Sequence, residues 1–155
     1  IDPTISDGRR NIICLWQEND IKDAVLKPCV FCSEWDVTDG KLNAYIHQRS
    51  CDVPLGLPFN VTQYSALFCL LAHVTGLEPG QLSWSIKDAH IYVNQVDGIK
   101  EQIRRGKELP NLKAPKLWIN PEIKDFYAFD NSRKLNDIKI VDYNHYGKIE
   151  FPIAQ

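Results

Sequence analysis

The chain predicts an α+β fold, a mixed β-sheet packed on a long buried helix, and three observations carry that reading. Two extended, β-rich runs, Cys29 to Val37 and Lys41 to Arg49, flank Thr38-Asp39-Gly40, where an Asp-Gly pair is a strong hairpin signal. Phe59 to Val74 is apolar on nearly all sides, and a helix without a wide polar face is a buried one. From Gln81 to Lys87, Leu82, Trp84 and Ile86 alternate with polar residues as a half-buried strand should.

At 155 residues the chain fits one domain and can bury a sizeable core. Its 44% hydrophobic and 25% charged content are those of an ordinary soluble globular protein. A net charge of −2 supplies no global basic field, so composition does not point to DNA or RNA, and any anion must be gripped locally. No apolar run reaches the ~18 residues needed to cross a bilayer, and no basic-then-apolar leader opens the chain, so the expectation is a cytoplasmic protein with no membrane partner. The odd count of five cysteines (Cys14, Cys29, Cys32, Cys51, Cys69) speaks against a fully paired disulfide framework, and reduced thiols are expected. Methionine is absent even at position 1, so further residues upstream are expected.

The elements follow in order. The first ten residues are polar and turn-rich, and Arg9 and Arg10 close that loop, where they either face water or meet an anion. Asn11 to Trp16 is consistent with a short buried strand, and Ile21 to Leu26 with one or two helical turns before Pro28. On the first hairpin strand Phe31, Ser33 and Trp35 are expected on one face, with Cys32, Glu34 and Asp36 on the other. Cys29 and Cys32 then point apart, which undermines a Cys-x-x-Cys redox or zinc reading, and no further ligands stand nearby, so no metal is expected. Gly76 suits a helix C-terminal cap, and His73 reads as a core histidine with its ring bonded. Glu78-Pro79-Gly80 reads as a turn, and Asp88 to Tyr92 as a continuation of the strand before it. His90 and Tyr92, two apart, then share a face. An amphipathic helix is expected from Asn94 to Arg105, strands at Lys116 to Asn120 and Ile138 to Val141, and Lys148 to Ile153 closes the chain.

The richest stretch for chemistry runs from His47 to Asn60. Arg49 offers a planar fork of donors and Ser50 a hydroxyl, a pair able to grip phosphate oxygens, although an arginine beside a serine is also common on a bare surface. The Asn60 amide donates and accepts from one plane, which matches the carbonyl and N–H edge of uracil and not that of cytosine. Cys29 follows Pro28 at the start of a strand. A cysteine in an apolar setting is either buried and inert or, with an arginine nearby to raise its thiolate fraction, a nucleophile.

Five blocks, in order and at compatible spacing, give the chain a family resemblance: Pro28-Cys29, Gln48-Arg49-Ser50-Cys51-Asp52, Leu55-Gly56-Leu57-Pro58-Phe59-Asn60, Thr75-Gly76-Leu77-Glu78-Pro79-Gly80 and Asp88-Ala89-His90-Ile91-Tyr92. Together with Arg9-Arg10 they resemble the C-terminal portion of folate-dependent thymidylate synthases. The resemblance implies a single domain over 1–155 lacking the family's N-terminal part. It also implies methylation of deoxyuridine monophosphate (dUMP) by 5,10-methylenetetrahydrofolate, with Cys29 attacking C6 of the pyrimidine. Gln48, Arg49, Ser50, Asp52, Asn60, His90 and Tyr92 match substrate ligands: phosphate for Arg49 and Ser50, uracil for Asn60, the sugar hydroxyl for His90 and Tyr92. Arg9 and Arg10 match a pair that reaches the phosphate in the partner of a homodimer, formed on the face of the sheet opposite the helix. Asp52, Leu55, Gly56, Phe59 and Ala154 match the folate pocket.

There are departures from the pattern: Val30 stands where a histidine is usual, Lys87 where a glycine is common, and Ile153-Ala154-Gln155 where the tail normally ends in an apolar residue. The family's N-terminal half supplies further phosphate and folate contacts, so the 155 residues alone are expected to bind nucleotide weakly and not to turn over. A deoxyuridylate hydroxymethylase and an inactive nucleotide-binding fragment are the alternatives.

Overall fold

The computed structural model describes residues 10–129 and 137–153. A four-stranded sheet in the order β1 (Asn11–Cys14), β2 (Val30–Thr38), β3 (Lys41–Gln48), β5 (Glu78–Ile86) is antiparallel across its first two pairings and parallel between β3 and β5. Short α1 (Glu18–Ile21) precedes β2, and β4 (Cys51–Asp52) precedes the long α2 (Gly56–Thr75), which forms the crossover that a parallel pair requires. β4 pairs with β6 (Ala89–His90); then come α3 (Val96–Glu108) and an antiparallel pair, β7 (Lys116–Ile119) with β8 (Ile138–Val141). The expected mixed sheet on a long helix is the fold observed.

Turn chemistry sets the hairpin. Asp39 and Gly40 have φ of 52° and 74°, so both central residues take the left-handed conformation that matches the strands' twist, and Thr38 pairs directly with Lys41. The core lies between sheet and helix: Trp35, Leu42, Ala44 and Ile46 from the strands meet Tyr64, Phe68 and Ala72, which recur every four residues along α2. Trp35 stacks on Phe68 at 6.2 Å and Trp84 meets Tyr64 edge-on at 5.6 Å. Gly76, at φ 69°, caps α2 with its N–H on the carbonyls of Ala72 and His73. His73 Nε2 lies 2.8 Å from the Ile123 carbonyl, so the ring is bonded as expected.

Several expectations are corrected. α2 buries one face only, and Phe59 and Val61 are exposed, because the sheet packs against a single side of the helix. β1 is an edge strand and largely exposed rather than buried. The first helical turn falls on Glu18–Ile21, ahead of the Ile21 to Leu26 stretch where it was expected. A bulge between Val30 and Cys32 moves Phe31 to the face of His47, 6.1 Å between rings, while Val30 takes the core position. Glu78-Pro79-Gly80 begins β5 instead of turning: on an edge strand a proline forfeits little. A Cβ on Gly80 would stand 2.8 Å from the Leu42 carbonyl oxygen, so that close approach needs glycine. β5 also stops at Ile86, and the chain resumes as β6 in a different sheet.

Glu101 on α3 accepts from Arg104 and Arg105, and Arg105 Nη1 reaches the carbonyls of Tyr146 and Gly147, both at 3.0 Å. Hydrogen bonds from the two arginines hold the Glu101 carboxyl down from 4.5 to about 2. A depressed folded pKa contributes stability above the unfolded value, lost as the pH falls from about 4.5 through about 2. Glu101→Gln is therefore expected to flatten the loss of stability in that acid window, measured by urea midpoints, and to leave the dependence at neutral pH unchanged.

Candidate functional site

The Pro28 loop delivers Cys29 just before β2, and Arg49, one residue past β3, ties that loop down. Its backbone N–H donates to the Cys29 carbonyl at 2.9 Å, its Nε to Pro28 O at 2.9 Å and its Nη2 to Lys27 O at 2.8 Å. Half-buried Cys29 lines a cleft of about 320 Å³ with Leu15, Leu26 and, from α2, Asn60, Gln63 and Tyr64. The thiol and the amide thus share one cavity. Arg49 does not line it; it fixes the cavity's wall from behind, and its guanidinium lies over the Trp16 ring at 5.7 Å. With Trp16, Phe31, His47 and Lys87 it lines a second cleft, of about 600 Å³, on the sheet face away from α2.

Asn60 is held by Gln48, which is 2% exposed. Gln48 Oε1 accepts from Trp84 Nε1 at 2.9 Å, and its Nε2 donates to Ser50 O at 2.9 Å and to Asn60 Oδ1 at 3.1 Å. With its own amide fixed by the indole, Gln48 accordingly dictates which end of the Asn60 amide is the acceptor. Gln48 therefore sits behind Asn60 and spends both its ends on protein groups.

A second group of side chains continues from there. A Cβ on Gly56 would stand 3.7 Å from Asp52 Cβ and 3.8 Å from Asn60 Oδ1, so Gly56 lies between those two residues. Asp52 accepts from Leu55 N at 3.1 Å, which holds the turn into α2, and from Gln95 Nε2 at 3.0 Å. β4 and β6 place Asp52 opposite His90. Tyr92 lies beyond the short strand, yet its ring meets His90 edge-on at 5.0 Å, so the two remain neighbours. His90 Nδ1 is buried and has no hydrogen-bond partner among the described residues, with Asp88 Oδ1 3.5 Å away. Leu55 and Phe59, the latter 76% exposed, border a pocket of about 710 Å³ whose opposite wall is Gly147 to Pro152.

The expected residues thus fall into three adjoining groups: Cys29 with Asn60, Arg49 and Ser50 at the loop behind them, and Asp52 with His90 and Tyr92. Exposed Arg10 directly precedes β1. Arg9 and Ala154 lie outside the described residues. Sequence reasoning missed Gln95, a fully buried amide that bridges Asp52 to the Pro152 carbonyl at 3.3 Å; its partners are 43 and 57 residues away, so no local pattern announces it. Tyr64, read as core, also lines the Cys29 cleft, and burial pushes its phenol up. Burial likewise pushes up the thiols of Cys32, Cys51 and Cys69, keeping them protonated and poorly nucleophilic at neutral pH. Val30, 5% exposed, packs in the core, which explains an apolar side chain there. Among the described residues no cluster of three His, Cys, Asp or Glu is placed to hold a metal, and no helix is long and apolar enough to cross a membrane.

Fold and site together define an α+β protein with a cysteine and a fixed amide in one cleft, at the start of its long helix. The chain belongs to the thymidylate synthase family, whose model matches residues 3–155. It is 51% identical over 146 residues to the thymidylate synthase of Clostridium beijerinckii, covering 94% of this chain and 53% of that one. To the Bacillus mojavensis thymidylate synthase it is 41% identical over 147 residues, 95% of this chain and 50% of the relative. The solved structure of thermostable thymidylate synthase A from Bacillus subtilis superposes with a TM-score of 0.83 at 41% identity, over 94% of this chain and 49% of that chain. The chain spans about half the length of the curated relatives it matches.

Proposed function

We propose that a protein carrying this chain methylates dUMP at C5 to give thymidylate. The reading rests on one observation above the rest: Cys29 and Asn60 face one cleft whose wall is pinned by Arg49. In this reading the Cys29 thiolate adds to C6 of the pyrimidine, which makes C5 an enolate-like carbon, and Asn60 holds the carbonyl and N–H edge of the ring. 5,10-Methylenetetrahydrofolate, the co-substrate, supplies both the one-carbon unit and a hydride. Arg49, its guanidinium turned from the Lys27 and Pro28 carbonyls into the cleft, binds the phosphate with Ser50, while His90 and Tyr92 bind the 3′-hydroxyl, and Asp52, Leu55, Gly56, Phe59 and Ala154 the folate. Gln48 acts through Asn60 by fixing its amide.

The active form in this reading is a cytoplasmic homodimer. The sheet face away from α2 meets the partner, and Arg9 and Arg10 cross to the partner's phosphate. The exposed Tyr45 on that face and the open cleft beside Arg49 support this arrangement. Incubation of a longer protein that carries this chain with dUMP and the folate, followed by chromatography of the nucleotide and absorbance of the folate, provides the test. Thymidylate appearing in step with dihydrofolate is expected; hydroxymethyl-deoxyuridylate without dihydrofolate would replace the reading by the hydroxymethylase one.

A further inference from the structure

β1 and β2 bring two thiols face to face. Cys14 pairs with Cys32 in the antiparallel register, and the Leu15 N–H donates to the Phe31 carbonyl at 2.8 Å. A bond from the residue after Cys14 to the residue before Cys32 identifies the pair as a non-hydrogen-bonded one. In such pairs the Cα atoms stand about 4.5 Å apart with the side chains on one face, inside the Cα range of about 4.4–6.8 Å that a disulfide spans. Cys14 lines the cleft on the sheet face away from α2, exposed in the single chain and covered in the proposed homodimer. Cys32, whose partner in β3 is His47, lies on that same face, to which the bulge also brings Phe31. Cys29 points instead into the cleft beside α2. Nothing in the proposed catalytic chemistry uses Cys14 or Cys32.

We propose that Cys14 and Cys32 are a site of reversible oxidation, joined by a cross-strand disulfide on exchange with a small disulfide such as oxidised glutathione. The Cys14 thiolate attacks one glutathione sulfur, forming a mixed disulfide and expelling one glutathione thiolate. Cys32 then attacks the Cys14 sulfur and expels the second. The protons lost by the two cysteines end on the two glutathione thiolates, so two protein thiols are oxidised and one glutathione disulfide is reduced. Burial, the neighbouring Cys14 and Glu34 raise the Cys32 thiol, which makes it the slower, resolving partner. Cys14 Sγ gives up only a weak 3.9 Å contact with the Trp16 carbonyl.

The bond would act on an edge strand. β1 leads directly into Leu15, a wall of the Cys29 cleft, and Trp16, the ring beneath Arg49. Fastening β1 to β2 thus holds both against fraying.

The test is equilibration of the chain in reduced and oxidised glutathione, followed by acid quenching, peptide mapping and hydrogen exchange. One intramolecular link between the Cys14 and Cys32 peptides is expected, with loss of two hydrogens, abolished in both Cys14→Ser and Cys32→Ser. Exchange of the Leu15 amide should slow by at least about tenfold in the oxidised chain. Because the end point is read, cover of this face by a second copy delays the exchange and leaves the map the same. Cys14 and Cys32 recovered as free thiols, as separate glutathione adducts or linked between chains would overturn the proposal, and unchanged Leu15 exchange would overturn its fastening role.

Discussion

Cys29→Ser is expected to lower thymidylate formation by roughly 10³-fold or more, because a serine hydroxyl is far less acidic than a thiol and supplies almost no anionic nucleophile near neutral pH. The backbone of the loop survives the change, since Arg49 holds it through the carbonyls of Lys27, Pro28 and Cys29 rather than through the sulfur. Nucleotide affinity should therefore stay within about threefold, while a nucleotide adduct seen by mass spectrometry of the denatured wild-type protein disappears. The other thiols are poor substitutes: burial raises Cys51 and Cys69, and Cys32 faces away from the cleft. Turnover within tenfold of wild type in Cys29→Ser would remove the covalent mechanism.

What was legible from residue order alone was local. The Asp39-Gly40 turn was readable because two positive-φ positions side by side demand that chemistry, and Gly76 marked the end of α2 for the same reason. The existence of α2 followed from its long, mostly apolar run, but its burial did not, because the number of sides that are covered depends on what packs there. The bulge that turns Phe31 over left no local signature, so strict alternation misplaced it. Pro79-Gly80 resembled a turn because the tertiary fact that matters, an edge strand pressed on Leu42 O, lies 38 residues away in Gly80's case. The site divides in the same way. Cys29, Arg49 and Asn60 were identifiable as residue types with a chemistry, and the block order carried the resemblance. Gln95 and the Trp84–Gln48–Asn60 chain of bonds exist only once distant elements meet.

That chain of bonds makes base preference depend on a residue that does not line the cleft with Cys29. Gln48→Glu removes the N–H that now faces Asn60 Oδ1 and Ser50 O, and puts an acceptor in its place, while the Trp84 indole still has an oxygen to bond. Asn60 then satisfies the new acceptor only by rotating its amide so that Nδ2 points at position 48. The rotated amide presents its oxygen where it had presented N–H, which suits the amino group and unprotonated ring nitrogen of cytosine. The ratio of dUMP to dCMP affinity, measured by calorimetry at pH 8, is expected to fall by at least about tenfold. Gln48→Leu, which frees the Asn60 amide without dictating the other orientation, should weaken dUMP and leave dCMP no better bound. Both variants lose stability, about 2–4 kcal/mol for leucine from the unpaired Trp84 N–H and Ser50 carbonyl, and more for a carboxylate at a site only 2% exposed. Urea midpoints taken beside the affinities separate that loss from the change in preference. A Gln48→Glu protein that folds and keeps its full preference for dUMP would show that Asn60 is oriented by something other than Gln48.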